Sequence, residues 1–146
     1  MDWAKRTAEL SHARRLQVGA VIVKDDSVIS YGYNGMPAGW DNNCEDEIWP
    51  PYYGDEPTLK TKPEVLHAES NAIAKLAKSS NSGLGADLFV THSPCLDCAK
   101  LIYQSGISRV YFNQNYRDDA GVNFLKKSGV EVIQHRLDES VESRSN

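Results

Sequence analysis

Hydrophobic and polar positions change their spacing several times along this chain, and each change predicts a new element. Residues 2 to about 15 mix charged residues with alanines and predict a first helix, with Asp2 as its cap and Trp3 and Leu10 available for a buried face. The following run, VGAVIVKDDSVISYGYN, carries β-branched residues on both sides of an Asp-Asp pair. It predicts two strands joined as a hairpin.

The periodic pattern stops from Asn34 to about Pro63, where Gly, Pro, Asn, acidic and aromatic residues predict a long, functional loop. Beyond this loop, helical and strand patterns alternate. Apolar spacing predicts helices over residues 67–78, 94–106 and 118–128, and strands over residues 86–92, 107–113 and 130–135. Because strands separated by helices favour parallel pairing, we expect one α/β domain, with a mixed sheet of about five strands and helices on both faces.

The bulk properties of the chain narrow the choice of function. Its 146 residues suit one ordinary domain, which we expect over residues 1–137, followed by a frayed polar tail over residues 138–146. The net charge of −4 argues against a broad basic surface for nucleic acid, and no apolar run approaches the roughly 20 residues of a membrane span. Three cysteines without a secretion signal favour a reduced, cytoplasmic setting, that of a host cell if the chain is viral.

Two of the three cysteines stand in the stretch SPCLDC, at the predicted start of a helix. At positions i and i+3, Cys95 and Cys98 project to the same side, where the helix N-terminus stabilises thiolates. Alone, the pair is also compatible with two buried core cysteines or with a redox motif. His67 opens another predicted helix and would supply a third ligand, one short of the closed tetrahedron of a structural zinc site.

A vacant fourth position would suit a water molecule, and Glu69 could then accept a proton from it without binding the metal. Alternatively, Cys44 could complete a closed structural site from the long loop. The combined pattern, H-A-E followed by P-C-L-D-C, matches the H-x-E…P-C-x-x-C signature of zinc deaminases that act on nucleobases.

At these residues the chain resembles the cytidine deaminase superfamily, and within it the deoxycytidylate (dCMP) deaminases. The resemblance extends from Trp3 to about His135, in the stretches QVGAVIVKD, YGYNGMPAGW, HAESNAI, SPCLDCAKLI and SGISRVYF. The run G-Y-N-G-x-P-x-G is characteristic of dCMP deaminases. The resemblance implies a three-layer α/β/α cytidine-deaminase-like fold. It also implies hydrolysis of dCMP to dUMP and ammonia, which supplies dUMP for thymidylate synthesis.

The resemblance further implies roles for individual residues. One catalytic Zn²⁺ per subunit would be held by His67, Cys95 and Cys98. Glu69 would be the catalytic residue that moves protons between water and the pyrimidine. The substrate-binding residues would be Asn34, Ala68, Ser93 and Tyr116. Simpler interpretations of two of them stay open, with Asn34 as a turn residue and Tyr116 as a plain surface or core aromatic.

Regulation and phosphate binding are also implied. Many dCMP deaminases are homohexamers that dCTP activates and dTTP inhibits, with Mg²⁺ carried on the triphosphate. By resemblance, this regulatory site lies at a subunit boundary, on Gly32, Tyr33, Asn34 and Gly35. A merely flexible loop is the alternative. The substrate's 5′-phosphate needs cationic partners, and the sequence offers four candidates without choosing between them: Arg14, Arg15, Lys24 and Arg117.

One departure from the family concerns a second metal. Some relatives hold a structural zinc with a cysteine shortly before V-G-A, where this chain has Ala13. A second zinc is therefore not expected unless His12 and Cys44 replace that ligand. Two other functions remain open: a relative that also deaminates dCTP or another cytosine or adenine compound, and a non-catalytic, zinc-stabilised nucleotide-binding module.

Overall fold

The computed structural model describes residues 1–136, so the predicted frayed tail at residues 138–146 lies outside the described residues. The helices of this part of the chain are α1 (Asp2–Ala8), α2 (Ala68–Ala77), α3 (Leu96–Gln104) and α4 (Ala120–Lys127). The strands are β1 (Gly19–Lys24), β2 (Ser27–Tyr33), β3 (Glu45–Ile48), β4 (Thr58–Thr61), β5 (Asp87–His92), β6 (Arg109–Gln114) and β7 (Glu131–Gln134). None of the described helices has the length and apolar character needed to cross a membrane.

The main sheet has five strands in the order β2-β1-β5-β6-β7. β1 runs antiparallel to both β2 and β5, whereas β5, β6 and β7 run parallel to one another. This arrangement confirms the predicted mixed sheet. It also places the carboxyl end of β5 and the start of α3 at one edge of the sheet, because α3 follows β5 after a short connection.

The predicted hairpin is confirmed, and its turn explains why two aspartates stand there. Asp25 and Asp26 both have positive φ, 50° and 61°. A two-residue hairpin turn with positive φ at both positions matches the right-handed twist of its strands, and aspartate tolerates that conformation better than most residues. The register between β1 and β2 shifts once, between Ile22 and Val23.

Helices cover both faces of the sheet, and two glycines show which helix lies on which face. A Cβ on Gly19 would overlap the backbone of Ala4 and Ala8 in α1, whereas a Cβ on Gly32 would overlap the backbone of α2. Gly32 lies opposite Ala20, the neighbour of Gly19. Since neighbouring residues of a strand face opposite sides, α1 and α2 pack on opposite faces, which confirms the predicted three layers.

A hydrophobic core lies on the α2 face of the sheet, where α3 and α4 also contribute. Strand and helix residues form one buried cluster there, and its members without exposed surface are Ala20, Ile22, Ala68, Ala72, Ala86, Leu88, Val90, Ala99, Ile102, Val110 and Leu125. A continuous core of this kind holds the starts of α2 and α3 in fixed positions relative to the sheet.

The predicted length of the first helix is wrong. α1 ends at Ala8, its first residue Asp2 follows Met1 at the cap position, and Trp3 and Leu10 are 64% and 55% exposed. The face of α1 that packs on the sheet beside Gly19 consists of the small Ala4 and Ala8 side chains, so Trp3 and Leu10 are not part of it. The chain then turns away from the helix axis, and the Ser11 hydroxyl donates to the Asn34 carbonyl oxygen at 2.7 Å.

The long loop predicted from Asn34 to Pro63 contains a small antiparallel sheet that the sequence pattern did not predict. β3 pairs with β4, and Glu45 lies opposite Thr61. Most residues of both strands are exposed, so no alternation of apolar and polar residues was available to indicate them. An isolated antiparallel β-bridge between Gly35 and Leu66 holds the two ends of this loop together.

Candidate active site

The site lies where α2 and α3 begin. His67 and Cys95 stand in extended conformation at the residue before each helix, so their side chains leave the backbone at the helix N-termini. Cys98 follows in the first turn of α3, on the same side as Cys95. Two helices that start side by side therefore bring together residues 28 and 31 positions apart in sequence.

The three donor atoms have the spacing that a tetrahedral zinc ion requires. His67 Nδ1 lies 3.5 Å from Cys95 Sγ and 3.3 Å from Cys98 Sγ. All three donors lie within 4.8 Å of one another. Zinc bond lengths at tetrahedral angles call for nitrogen–sulfur separations of about 3.5 Å, so the residues present fit this metal.

The two thiols of the donor set have opposite pKa shifts because they interact with each other. Hydrogen bonds from the Cys98 thiol and from His67 lower the pKa of Cys95 to about 4. The hydrogen bond to Cys95 and burial raise the pKa of Cys98. One thiolate therefore forms readily while the second stays protonated beside it. A divalent cation between them would favour ionisation of both sulfurs.

A buried carboxyl group, that of Glu69, lies beside the donor set without belonging to it. It lies in the first turn of α2 and is only 4% exposed. Burial raises the pKa of Glu69 to about 7, against the lowering effect of its backbone hydrogen bond and of His67. A carboxyl group with this pKa can both accept and return a proton near neutral pH, which is the requirement for general acid–base catalysis.

Three of these residues, His67, Glu69 and Cys95, line a cavity of about 420 Å³. That volume lies within the roughly 300–1,000 Å³ typical of pockets for small molecules. The residues that line it come from the segment after α1, from the long loop, from the end of β5, from the starts of α2 and α3 and from the segment after β6. They are Ala13, Arg15, Leu16, Val18, Asn34, Cys44, Glu45, Thr61, Val65, His67, Ala68, Glu69, His92, Ser93, Cys95, Tyr116 and Arg117.

All four predicted substrate-binding residues line this cavity: Asn34, Ala68, Ser93 and Tyr116. The Ser93 hydroxyl accepts a hydrogen bond from the Tyr116 backbone N–H at 2.6 Å, which fixes the segment after β6 beside the donor set. The Asn34 amide bonds to backbone on both sides, accepting from Val18 and donating to Leu16. Asn34 therefore has a structural task in addition to its predicted contact with the sugar, which stays a prediction.

Of the predicted regulatory residues, only Asn34 lines the cavity. Gly32 packs against α2, and the Tyr33 carbonyl accepts a hydrogen bond from the Asn71 amide at 2.8 Å. Gly35 exchanges two backbone hydrogen bonds with Leu66, and the position of a Cβ on it would be open. The role of this segment in regulation stays a prediction.

The four candidate cations fall into two groups. Arg15 and Arg117 line the cavity. Arg14 instead pairs with Glu45 and Glu47, and Lys24 lies in β1 next to the hairpin turn. Sequence reasoning missed the contribution of Glu45, because the run C-E-D-E in an unpatterned loop has the composition of a solvated surface.

The structure places Cys44 apart from the metal donors. Its buried thiol lies in the cavity wall and donates to the Asn42 carbonyl at 3.4 Å, and burial raises the pKa of Cys44. Within residues 1–136, only His67, Cys95 and Cys98 form a metal-binding group of three or more His, Cys, Asp or Glu side chains. The alternative of a closed site with Cys44 as fourth ligand is therefore wrong for the described residues, and the expectation that no second zinc binds stays a prediction.

Comparisons with known proteins agree with this geometry. The profile of the cytidine and deoxycytidylate deaminase zinc-binding region matches residues 1–114. Human deoxycytidylate deaminase is 42% identical over 135 residues, which cover 82% of this chain and 72% of that protein. ComE operon protein 2 of Bacillus subtilis is 39% identical over 133 residues, which cover 90% of this chain and 67% of that protein.

A solved structure extends the similarity to three dimensions. The crystal structure of the dCMP deaminase from cyanophage S-TIM5, in complex with dCMP and dUMP, has a TM-score of 0.80 to this protein. The two chains are 41% identical, and the match covers 92% of each. The chain therefore belongs to the cytidine and deoxycytidylate deaminase family, and the three metal donors and Glu69 lie within its zinc-binding region.

Proposed function

We propose that this protein hydrolyses dCMP to dUMP and ammonia, with one zinc ion per subunit held by His67, Cys95 and Cys98. The observation that carries the proposal is the buried Glu69 carboxyl beside a three-donor metal site, in a cavity of nucleotide size. The cyanophage relative that binds dCMP and dUMP supports this choice of substrate. The product dUMP would then serve thymidylate synthesis.

The reaction adds water to C4 of cytosine and breaks the bond from C4 to the exocyclic amino group. Zinc in a site of this type lowers the pKa of a water molecule towards neutrality. Glu69 accepts a proton from the attacking water and delivers it to ring N3, which makes C4 more electrophilic. Glu69 then accepts the proton of the hydroxyl group now on C4 and transfers it to the departing amino group, so that the bond from C4 to nitrogen breaks, ammonia leaves and the carbonyl of uracil forms.

The walls of the cavity would hold the substrate in position for this attack. The Ala68 backbone N–H and the Ser93 carbonyl would bind the edge of the pyrimidine, and Asn34 the sugar hydroxyl. Tyr116 would lie over the substrate, because the hydrogen bond from its backbone N–H to Ser93 Oγ keeps it beside the site. These positions would restrict the substrate to one orientation.

The test is a comparison of substrates with the zinc-loaded protein. We expect about one zinc per chain and a higher kcat/KM for dCMP than for dCTP, deoxycytidine, cytosine or adenosine compounds. A preference for dCTP would favour the related activity on nucleoside triphosphates. A protein that binds zinc and nucleotide but releases no ammonia from any of these compounds would be the non-catalytic binding module instead.

Regulation is a further part of the proposal. The G-Y-N-G run supports a site for dCTP as activator and dTTP as inhibitor, each with Mg²⁺, at a subunit boundary of a homohexamer on Gly32, Tyr33, Asn34 and Gly35. The open position beside Gly35 would allow a nucleotide to approach the backbone. Light scattering of the protein and rates with and without Mg²⁺-dCTP or Mg²⁺-dTTP test the assembly and the regulation separately.

We also propose a cytoplasmic location. All three cysteines are free thiols, and two of them are metal donors that must stay reduced to bind zinc. Fractionation of cells that produce the protein tests this location.

A further inference from the structure

Asn34 stands between two apolar parts of the cavity wall. On one side, its side-chain oxygen accepts a hydrogen bond from the Val18 N–H at 2.9 Å, and its side-chain nitrogen donates to the Leu16 carbonyl at 2.7 Å. On the other side, the residue after Asn34 forms a β-bridge with Leu66, which brings the neighbouring Val65 to the cavity. Leu16, Val18 and Val65 all line the cavity, and we call these three side chains the apolar wall.

The backbone polar groups beside the apolar wall have partners within the protein. The Val18 carbonyl accepts from the Asn34 N–H at 3.2 Å, and the Asn34 carbonyl accepts from the Ser11 hydroxyl at 2.7 Å. The Val65 N–H donates to the Lys62 carbonyl at 3.2 Å. A hydroxyl group of a ligand placed against this wall would therefore lose its hydrogen bonds to water without gaining equivalent ones from the protein.

The Asn34 side chain keeps hydrogen-bonding capacity for a ligand. Its bonds to Val18 and Leu16 occupy one of its two N–H donors and one of the two lone pairs of its oxygen. In the proposed binding mode, the remaining groups bind the sugar hydroxyl of dCMP, which is on carbon 3′. Carbon 2′ is the direct neighbour of that carbon, so it would lie against the side chains that flank Asn34.

We propose that the apolar wall selects 2′-deoxyribose over ribose. In dCMP, carbon 2′ carries only hydrogen, and its contact with the wall removes apolar surface of both from water. In CMP, the same carbon carries a hydroxyl group, which the wall buries without a hydrogen-bond partner. This inference rests on the proposed function, because it uses the proposed bond between Asn34 and the sugar.

The first test compares the wild-type kcat/KM for dCMP, for CMP and for the 2′-fluoro analogue of dCMP. We expect CMP to be a poorer substrate than dCMP by about 10- to 100-fold, the usual effect of burying a hydroxyl group without a partner. The fluoro compound should lie close to dCMP, because fluorine does not need a hydrogen-bond partner. Equal values for dCMP and CMP would overturn the proposal. So would rejection of the fluoro compound as strong as that of CMP, since missing hydrogen bonds would then not be the cause.

Variants test whether the preference comes from the apolar wall. Val65→Thr and Val18→Thr each replace a methyl group of the wall by a hydroxyl that can bond to the 2′-hydroxyl of CMP. We expect each to lower the ratio of kcat/KM for dCMP to that for CMP by about 3- to 10-fold. Val28→Thr is the matched control and should keep the wild-type ratio, because Val28 is an exposed residue of β2 outside the cavity lining. A wild-type ratio in both wall variants would overturn the proposal.

Binding of the products distinguishes failure of this inference from failure of the proposed function. Calorimetric titration with dUMP and UMP gives affinities without requiring turnover. If the wild type releases ammonia from dCMP and from CMP equally well, the inference fails and the proposed function stands. If it releases no ammonia but binds dUMP about 10-fold more tightly than UMP, and Val65→Thr reduces that difference, the proposed function fails and the apolar wall still selects deoxyribose. Equal affinities without turnover would overturn both.

Discussion

At the scale of single residues, the burial of Glu69 is what turns a metal site into a candidate catalyst. Its carboxyl group is almost fully buried, and burial raises the pKa of Glu69 to about 7. An exposed glutamate at a helix start would stay ionised at neutral pH and would mainly interact with the helix dipole. The same residue type would therefore have a different task here, because the fold buries it beside the metal donors.

Replacing Glu69 with glutamine should remove catalysis while leaving the metal in place. Glutamine has nearly the same shape, but it cannot accept the proton of the attacking water. We expect kcat for dCMP to fall by about 10²- to 10⁴-fold, the usual contribution of general acid–base catalysis. The assay is ammonia release, together with zinc content per chain. Glu64→Gln, at an exposed position five residues earlier on the chain, is the matched control and should behave as the wild type. Loss of zinc from Glu69→Gln would show that Glu69 acts as a ligand instead.

The three cysteines should differ in their effect on zinc content. Cys95→Ser and Cys98→Ser each remove one of three donors, so both proteins should contain well below one zinc per chain after dialysis. Cys44→Ala should keep about one, because the Cys44 thiol contacts the Asn42 carbonyl and stands outside the donor group. Elemental analysis of the purified variants gives the answer. A fall in zinc content in Cys44→Ala would instead place that thiol among the ligands.

At the scale of secondary-structure elements, α4 packs against the backbone at the start of α3, where the metal donor Cys95 lies. A Cβ on Gly121, in the first turn of α4, would overlap the backbone carbonyl groups of Pro94 and Cys95. Only glycine allows the helix to approach the residues that begin α3 this closely. The packing of α4 thus fixes the backbone from which the Cys95 thiol extends.

Gly121→Ala should therefore disturb zinc binding as well as stability. The added methyl group must displace backbone, and overpacking of this kind costs typically 1–3 kcal/mol. We expect a lower midpoint of thermal unfolding and faster loss of zinc to a chelating dye. Asn123→Ala, at an exposed position of the same helix, is the control and should change neither quantity. If Gly121→Ala were less stable but released zinc at the wild-type rate, α4 would stabilise the fold without positioning the ligand.

The elements also show which parts of the structure the sequence could predict. The hairpin, α2, α3 and the strands of the main sheet were predictable, because burial imposes a period on their own residues. The end of α1 and the β3–β4 sheet were not, because their residues bond to distant segments and follow no period of their own: Ser11 bonds to Asn34, and Glu45 bonds to Arg14 and Arg15. The same distinction holds for the site, where short motifs indicate metal donors, while Glu45 and Thr61 depend on tertiary contacts alone.

At the scale of the whole molecule, bound zinc should connect the start of α2 to the start of α3. His67 belongs to the start of α2, whereas Cys95 and Cys98 belong to α3. Both helices pack on the same face of the sheet and share one buried cluster. Zinc bound across them would contact groups that are close together only in the folded state, so its binding free energy would add to the free energy of unfolding.

Removing zinc should therefore lower the temperature at which the whole protein unfolds. Free zinc at about 1,000 times its dissociation constant stabilises a folded protein by about 4 kcal/mol, provided that the unfolded chain binds it weakly. For a domain of this size, that corresponds to a fall in Tm on the order of 10 °C after treatment with a chelator. Differential scanning calorimetry with and without added zinc measures the change. Cys98→Ser should unfold at a low temperature in both conditions, because it lacks a complete donor set. If the Tm of the wild type did not respond to zinc, the three donors would not bind the metal tightly enough for the proposed catalysis.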